Sequence, residues 1–240
     1  MPASIPTVFV VDDDSAVRES LALLIESAGW RPAPFASGRE FLAHPRAPGP
    51  GCLVLDVVLP DLDGWDVQRL MAGRGDIPVI VISGHGDVPI AVRAMKGGAA
   101  DFLAKPLASA ELLSAIGLAI DRSCASIGEA AHARSVRACY AALTPREKEV
   151  MALVVAGRRN RQVGGELGIS EITVKAHRGR VMRTMQAGSL AELVRMSASL
   201  GPERPARQVD EIPMSSPAAV FRYRCKGASV RPRPGPPLSP

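Results

Sequence analysis

Five side chains in the first 105 residues have the types and spacing to do chemistry together. Asp12 and Asp13 close an apolar run, Asp56 stands near the end of a later one, Ser83 ends the next, and Lys105 follows a short run over 101–104. Three carboxylates converging on one crevice repel one another unless a cation joins them, and hard oxygen ligands with room for water suit Mg²⁺. A nucleophilic carboxylate beside Mg²⁺, a hydroxyl and an ammonium can accept a phosphoryl group, because that transfer needs mainly positioning and charge neutralisation. Taken singly, each aspartate reads as a helix cap or turn residue, and the lysine as part of a solvated loop. Their arrival at equivalent strand ends is what points to a site. Asp14 is read apart from them, as the cap of the helix that follows.

The elements that must position these groups are legible in the apolar pattern. Thr7-Val-Phe-Val-Val11 is a continuous β-branched run, as expected of a strand buried on both faces of a parallel sheet. Val17, Leu21, Leu24 and Ala28 then fall at helical spacing before Gly29, and Ser37 with Glu40 forms a capping box for a short second helix. Strand-like runs over 52–59 and 78–83 are each followed by turn residues and a helix-compatible stretch. A short strand over 101–104 leads through Lys105-Pro106 into a helix over 109–121. The alternation predicts a doubly wound α/β domain with five parallel strands and right-handed crossovers. In such a sheet the working site lies beyond the carboxyl ends of the strands, where the five side chains fall.

Past residue 121 the pattern changes. An Ala- and Ser-rich stretch to about residue 140 reads as a connector that can extend the preceding helix. Thr144-Pro145-Arg146-Glu147 then combines an N-cap, a proline at the first helical position and a capping-box glutamate. Val150, Leu153 and Val154 form the apolar face of that helix, which should stop near Gly157. Asn160 is expected to cap a second helix with Val163 and Leu167 inward, Gly168 makes a turn, and Ser170 caps a third helix. On the third, Val174, Val181 and Met185 share one face, while Lys175, Ala176, Gly179, Arg180 and Arg183 share the other. Helix, glycine turn and helix make a helix-turn-helix, whose second helix enters a major groove; the plain alternative for the cations is a solvated face. Gly164 and Gly165 each cost about 1 kcal/mol relative to alanine inside a helix, which predicts a module of marginal stability. Residues 202–240 are rich in Pro, Arg and Ser without periodicity, a composition that predicts disorder.

Charge follows the same division. The 240 residues carry a net charge of +5, but residues 1–121 hold 9 Lys+Arg against 15 Asp+Glu, and residues 122–240 hold 20 against 9. An acidic module followed by a basic one suits the basic part to a polyanion. Only about +5 of the second half's +11 lies in residues 140–200, so the third-helix pattern, more than the net charge, carries the expectation of DNA binding. Other classes are not supported. No apolar run approaches the roughly 18 residues needed to span a bilayer, and the N-terminus lacks the basic region of a signal peptide. Cys52, Cys124, Cys139 and Cys225 form no CxxC pair, and the four histidines show no metalloprotease spacing. A cytoplasmic protein with free thiols and no membrane partner is expected.

The acidic half resembles the receiver domain of bacterial two-component response regulators, over about residues 5–121. The stretch Val79-Ile-Val-Ile-Ser-Gly-His-Gly-Asp-Val-Pro-Ile-Ala-Val-Arg-Ala-Met-Lys-Gly-Gly-Ala-Ala-Asp-Phe-Leu-Ala-Lys-Pro106 looks most like the FixJ group. The resemblance implies a flavodoxin-like fold, Asp56 as phospho-acceptor, and Mg²⁺ held by Asp12, Asp13, Asp56 and the Val58 main-chain carbonyl. It further implies that Lys105 pairs with the phosphoryl group and that Ser83 and Phe102 form the switch. The basic half is similar to the LuxR-type DNA-binding domain, through Leu143-Thr-Pro-Arg-Glu-Lys-Glu-Val150, Leu167-Gly-Ile-Ser-Glu-Ile-Thr-Val-Lys-Ala-His-Arg178-Gly-Arg180 and Ala191-Glu-Leu-Val194. By position it implies DNA contacts from Thr173, Lys175, Ala176 and Arg180, with His177 packing inward.

Together the two resemblances imply a receiver over 5–121, a linker over 122–139, a helix-turn-helix domain over 140–200 and a disordered tail over 201–240. The implied function is that of a transcription factor phosphorylated on aspartate by a sensor histidine kinase. Phosphorylation would promote a homodimer that binds promoter DNA and meets RNA polymerase. Such a protein is not an enzyme in its own right, although a receiver can catalyse its own phosphorylation and dephosphorylation. One alternative is a phosphorelay or protein-binding receiver whose C-terminal domain binds DNA weakly or not at all. A disfavoured one is an aspartyl-phosphate phosphatase, whose chemistry wants a second acid two residues after the nucleophile, where Val58 stands.

Overall fold

A computed structural model describes residues 5–45, 49–60, 62–84 and 88–200. Five parallel strands, β1 (Thr7–Val11), β2 (Arg31–Phe35), β3 (Gly51–Asp56), β4 (Val79–Ser83) and β5 (Asp101–Ala104), form one sheet in the order β2-β1-β3-β4-β5. Between them run α1 (Ser15–Ser27), α2 (Gly38–Ala43), α3 (Gly64–Ala72) and α4 (Val88–Lys96). The period of two along each strand divides the core. Val8, Val10, Val54, Ile80 and Ile82 pack with Leu21, Ile25, Leu112 and Ile116 on one face. Phe9, Val11, Leu53, Leu55, Val79 and Val81 pack with Phe41, Val67 and Met71 on the other. Burial on both faces is what the unbroken apolar runs require.

β2 is the strand that an apolar-run criterion does not locate, because its sequence is Arg-Pro-Ala-Pro-Phe. Successive backbone N–H groups of a strand point to opposite sides. Since Arg31 N donates to Pro6 O, the nitrogens of Pro32 and Pro34 lie on the side away from β1. The prolines fit only because β2 is an edge strand, and they leave that edge short of donors. One boundary and one cap differ for local reasons. β3 ends at Asp56 rather than 59, with Val58 turned to solvent at 60% exposure. Ser37 Oγ accepts from Glu40 N, but the Glu40 carboxylate reaches past Ser37 to Ala36 N.

The helix starting at Ser109 does not stop at 121: α5 runs as 33 residues from Ser109 to Ala141. Its first turns cover the sheet, and Ser123 Oγ ties it there, donating to Asp76 O and accepting from Gly51 N. Most side chains over 124–135 are exposed. Val136 is then buried in a third core, so that core begins before residue 140. α6 (Pro145–Val155), α7 (Asn160–Leu167), α8 (Glu171–Thr184) and α9 (Leu190–Leu200) complete it around Val150, Val154, Val163, Val174, Val181, Met185 and Leu193. α6 opens on the capping box: Glu147 N donates to Thr144 Oγ1, and Thr144 N donates to the Glu147 carboxylate at 3.0 Å. Asn160 is not the cap expected of it. Arg159 holds that place with its N–H bound to Gln162 Oε1, while Asn160 is already helical and accepts from Arg178. Gly168 ends α7 at a φ of +66°, which a glycine adopts without steric cost.

The two helical glycines differ. A Cβ on Gly164 would lie 2.7 Å from Ile169 O, because α7 folds closely onto the turn, whereas one on Gly165 would meet nothing within 4 Å. The expected weakening of the module therefore attaches to Gly165; Gly164 gives the turn its room. Residues 201–240, including Cys225, lie outside the described residues, and so do residues 85–87 of the receiver-like stretch.

Candidate functional site

The carboxyl ends of β1, β3, β4 and β5 bring Asp12, Asp56, Ser83 and Lys105 together. Asp12 is fully enclosed, Asp56 is 5% exposed and Ser83 is buried. Lys105 Nζ donates to Asp12 Oδ2 and to Asp56 Oδ2, each at 2.6 Å. The carboxylate repulsion expected from sequence is thus already met in part by the chain's own ammonium. The remaining oxygens are oriented by backbone: Asp14 N donates to Asp12 Oδ1 at 3.0 Å and Val58 N to Asp56 Oδ1 at 2.9 Å. Lys105 is anchored by its own N–H on Ser83 O. Burial pushes the Asp12 carboxyl above the usual carboxylate value, against the lowering pull of Lys105. Burial alone would lower the Lys105 ammonium, but its hydrogen bonds to Asp12 and Asp56 outweigh that and hold it above its ordinary value.

Asp13, exposed beside the pair, completes a set. One carboxylate oxygen from each of Asp12, Asp13 and Asp56 lies within 4.8 Å of the others. Three hard oxygens, two of them enclosed and one open to water, fit a hydrated Mg²⁺. Asp14 points elsewhere, accepting from Ala16 N and Val17 N at the start of α1. Phe102 lies on β5 opposite Val81, half-buried against the core that holds Phe9 and Val67.

On α8 the burial pattern separates two faces. Val174 and Val181 are buried, while Lys175, Ala176, Arg180 and Arg183 are exposed. Thr173 is half-exposed, with its Oγ1 2.8 Å from Ser170 Oγ within the cap. Lys175 pairs with Glu171 at 3.4 Å in open solvent, an arrangement worth little and easily exchanged for a phosphate. His177 turns inward, and its buried Nδ1 has no hydrogen-bond partner. The Thr144 N–H holds the Glu147 carboxyl below the usual carboxylate range against the opposing effect of burial, and Arg180 and His177 add to the lowering.

Residues 8–117 match the response regulator receiver domain, and residues 141–197 match the bacterial regulatory proteins of the luxR family. Nodulation protein W of Bradyrhizobium diazoefficiens is 48% identical over 195 residues, covering 81% of this chain and 86% of that protein. The transcriptional regulatory protein FixJ of Azorhizobium caulinodans is 45% identical over 203 residues, covering 84% and 95%. The solved structure of the response regulator StyR has a TM-score of 0.72 at 40% identity, over 81% of this chain and 99% of that one. The chain belongs to the response-regulator family. A receiver joined to a LuxR-type DNA-binding domain makes a transcriptional regulator governed by phosphorylation, and no described helix of this response regulator is long and apolar enough to cross a membrane.

Two supports of the regulator's acidic site escape a reading confined to reactive side chains. Arg18, one turn into α1, donates to Asp12 O at 2.7 Å and fixes the loop that carries the acid pair. Gly64 opens α3 so close to β3 that a Cβ there would collide with Asp56 O and lie 2.7 Å from Val57 Cα. The available signal was the Asp63-Gly64 step, with Asp63 capping α3 through Trp65 N. On α8 the residue passed over is Ile172, which is apolar yet 80% exposed.

Proposed function

We propose that Asp56 is the phospho-acceptor of this regulator, and that the partition into a receiver over 5–121, a linking segment over 122–139 and a DNA-binding domain over 140–200 describes its working parts. The observation that carries the reading is the Lys105 ammonium spanning Asp12 and Asp56 at the carboxyl end of the sheet. An Asp56 oxygen forms a bond to phosphorus as the P–N bond of a phosphohistidine on the sensor kinase breaks and the imidazole leaves with the electron pair. Asp12, Asp13, Asp56 and the Val58 carbonyl would hold Mg²⁺, which when bound supplies neutralisation of the phosphoryl oxygens. Lys105 exchanges one carboxylate for the new phosphoryl oxygens. The same arrangement lets the receiver take phosphate from a small donor and hydrolyse it, its only reactions as a catalyst.

The added charge draws the Ser83 hydroxyl inward and frees space for Phe102 to turn, altering the surface made by α4 and β5. α4 exposes Val88, Val92 and Met95 at i, i+4 and i+7, a stripe suited to a second copy of the regulator. Pairing there presents two copies of α8 to two half-sites of promoter DNA, through Thr173, Lys175, Ala176 and Arg180, within reach of RNA polymerase in the cytoplasm. Incubation with radiolabelled acetyl phosphate tests the acceptor. Wild type should take up acid-stable label and Asp56→Asn none; label persisting in the variant would remove Asp56 from the role.

A further inference from the structure

Ile172 is the most exposed large hydrophobic side chain among the described residues, at 80%. At the 100° per residue of an α-helix it falls with Ala176, Gly179 and Arg183 directly opposite the buried Val174 and Val181, between Lys175 on one side and Arg180 on the other. It stands in the first turn of α8, the end of a recognition helix that meets base edges. Ala176 is small, and a Cβ on Gly179 would meet only Arg183 Nη1 at 3.8 Å. The middle of the face is therefore low, and Ile172 is its tallest apolar group, flanked by cations. The neighbouring Thr173 hydroxyl is engaged with Ser170 in the cap and does not compete for the same position.

We infer that Ile172 reads a thymine, by packing its branched side chain against the 5-methyl group in the major groove. The inference rests on the DNA-binding reading above and deepens it. An isoleucine side chain offers no donor or acceptor, so it cannot address the O6, N7 or amino groups of the other bases. Thymine alone presents an apolar group in that groove. Cytosine carries only a hydrogen at the same ring position, so there the side chain finds no methyl to pack against. Lys175 and Arg180 supply phosphate attraction on either side, and that attraction carries no sequence information.

The test uses the full-length chain treated with acetyl phosphate to select duplexes from a random-sequence pool. The enriched duplex is then remade with deoxyuridine replacing each thymine in turn, which removes one methyl and nothing else. Wild type should lose about fourfold in affinity at one thymine per half-site, the factor expected for one buried methyl. Ile172→Ala, exposed enough to leave the thermal midpoint unchanged, should bind the thymine duplex as weakly as wild type binds the deoxyuridine duplex, with no further loss on substitution. Ile172→Val should keep most of the methyl dependence, and the slope of log affinity against log salt should be the same for all three proteins. Indifference of wild type to deoxyuridine at every position would overturn the inference, as would a full deoxyuridine loss retained by Ile172→Ala. Failure to enrich any sequence would overturn the DNA-binding reading itself.

Discussion

In the crevice at the end of the sheet charge is enclosed, and along α8 it stands in water. Asp12 and Asp56 have almost no solvent of their own and share one ammonium, so each of the three groups depends on the other two. Lys175 keeps 63% of its side chain exposed and holds Glu171 only loosely. The contrast teaches how one chain can use charge for two ends. Enclosed charge is coupled, so adding a phosphoryl group there must rearrange its neighbours. Exposed charge is nearly uncoupled, so it can meet a polyanion without disturbing the fold beneath it.

The comparison can be broken most directly at Lys105. Removing one partner of an enclosed ion pair leaves uncompensated charge, so Lys105→Ala should cost about 3 kcal/mol in urea unfolding without divalent ions. Trp30 and Trp65, the chain's two tryptophans, both lie in the receiver and report on it. A loss below about 1 kcal/mol, the range of an exposed pair, would show the crevice to be far wetter than its geometry indicates. On the other side, Arg180→Ala should leave the unfolding midpoint within about 0.5 kcal/mol of wild type. It should nevertheless lower DNA affinity about tenfold and reduce the salt slope by about one. A large stability loss there would mean that the basic face is structural.

A smaller effect sharpens the boundary between the two kinds of charge. Glu147 is a buried carboxylate that serves folding, not chemistry. Its folded value lies below the ordinary 4.5, so its contribution is present above that value and is lost as pH falls through the lower, folded one. Glu147→Ala should therefore destabilise the helical domain by about 1 kcal/mol at neutral pH, with the gap to wild type narrowing in acid when followed by circular dichroism. A gap independent of pH would show that packing, not charge, is what the variant loses. The smallest effect is expected in α7. Gly165→Ala should raise stability by about 0.5–1 kcal/mol, whereas Gly164→Ala should lower it, because its methyl would lie 2.7 Å from Ile169 O, a backbone atom that cannot move aside without disturbing the turn. Equal gains in thermal midpoint would remove the distinction between the two glycines.

What the sequence reveals depends on how local each signal is. Thr7–Val11 can be delimited to the residue because a strand buried on both faces is apolar throughout, whereas Asp101–Ala104, only half-buried, is located by the Lys105-Pro106 step that bounds it. The cap of α6 is equally legible, since all of its groups lie within four residues. β2 was hidden because Pro32 and Pro34 are allowed only by its place at the edge, a fact of the sheet and not of the segment. The sequence left the extension of α5 open, as a connector able to continue the helix, but did not decide it, because its later turns are held by a separate core at Val136. Residue types alone could nominate Asp12, Asp56 and Lys105, but the bridge between them spans 93 and 49 positions and depends on the fold. Ile172 shows the converse failure. A search for cations on α8 passes over the apolar side chain standing among them.

Gly64 carries one more consequence. Its missing side chain is what lets α3 begin against the main chain of Asp56, so the position of that carboxylate is set by a residue with no functional group. A map of mutational tolerance across this regulator would place Gly64 beside the carboxylates, as unforgiving as they are. An observer ranking residues by reactivity would have no reason to look there.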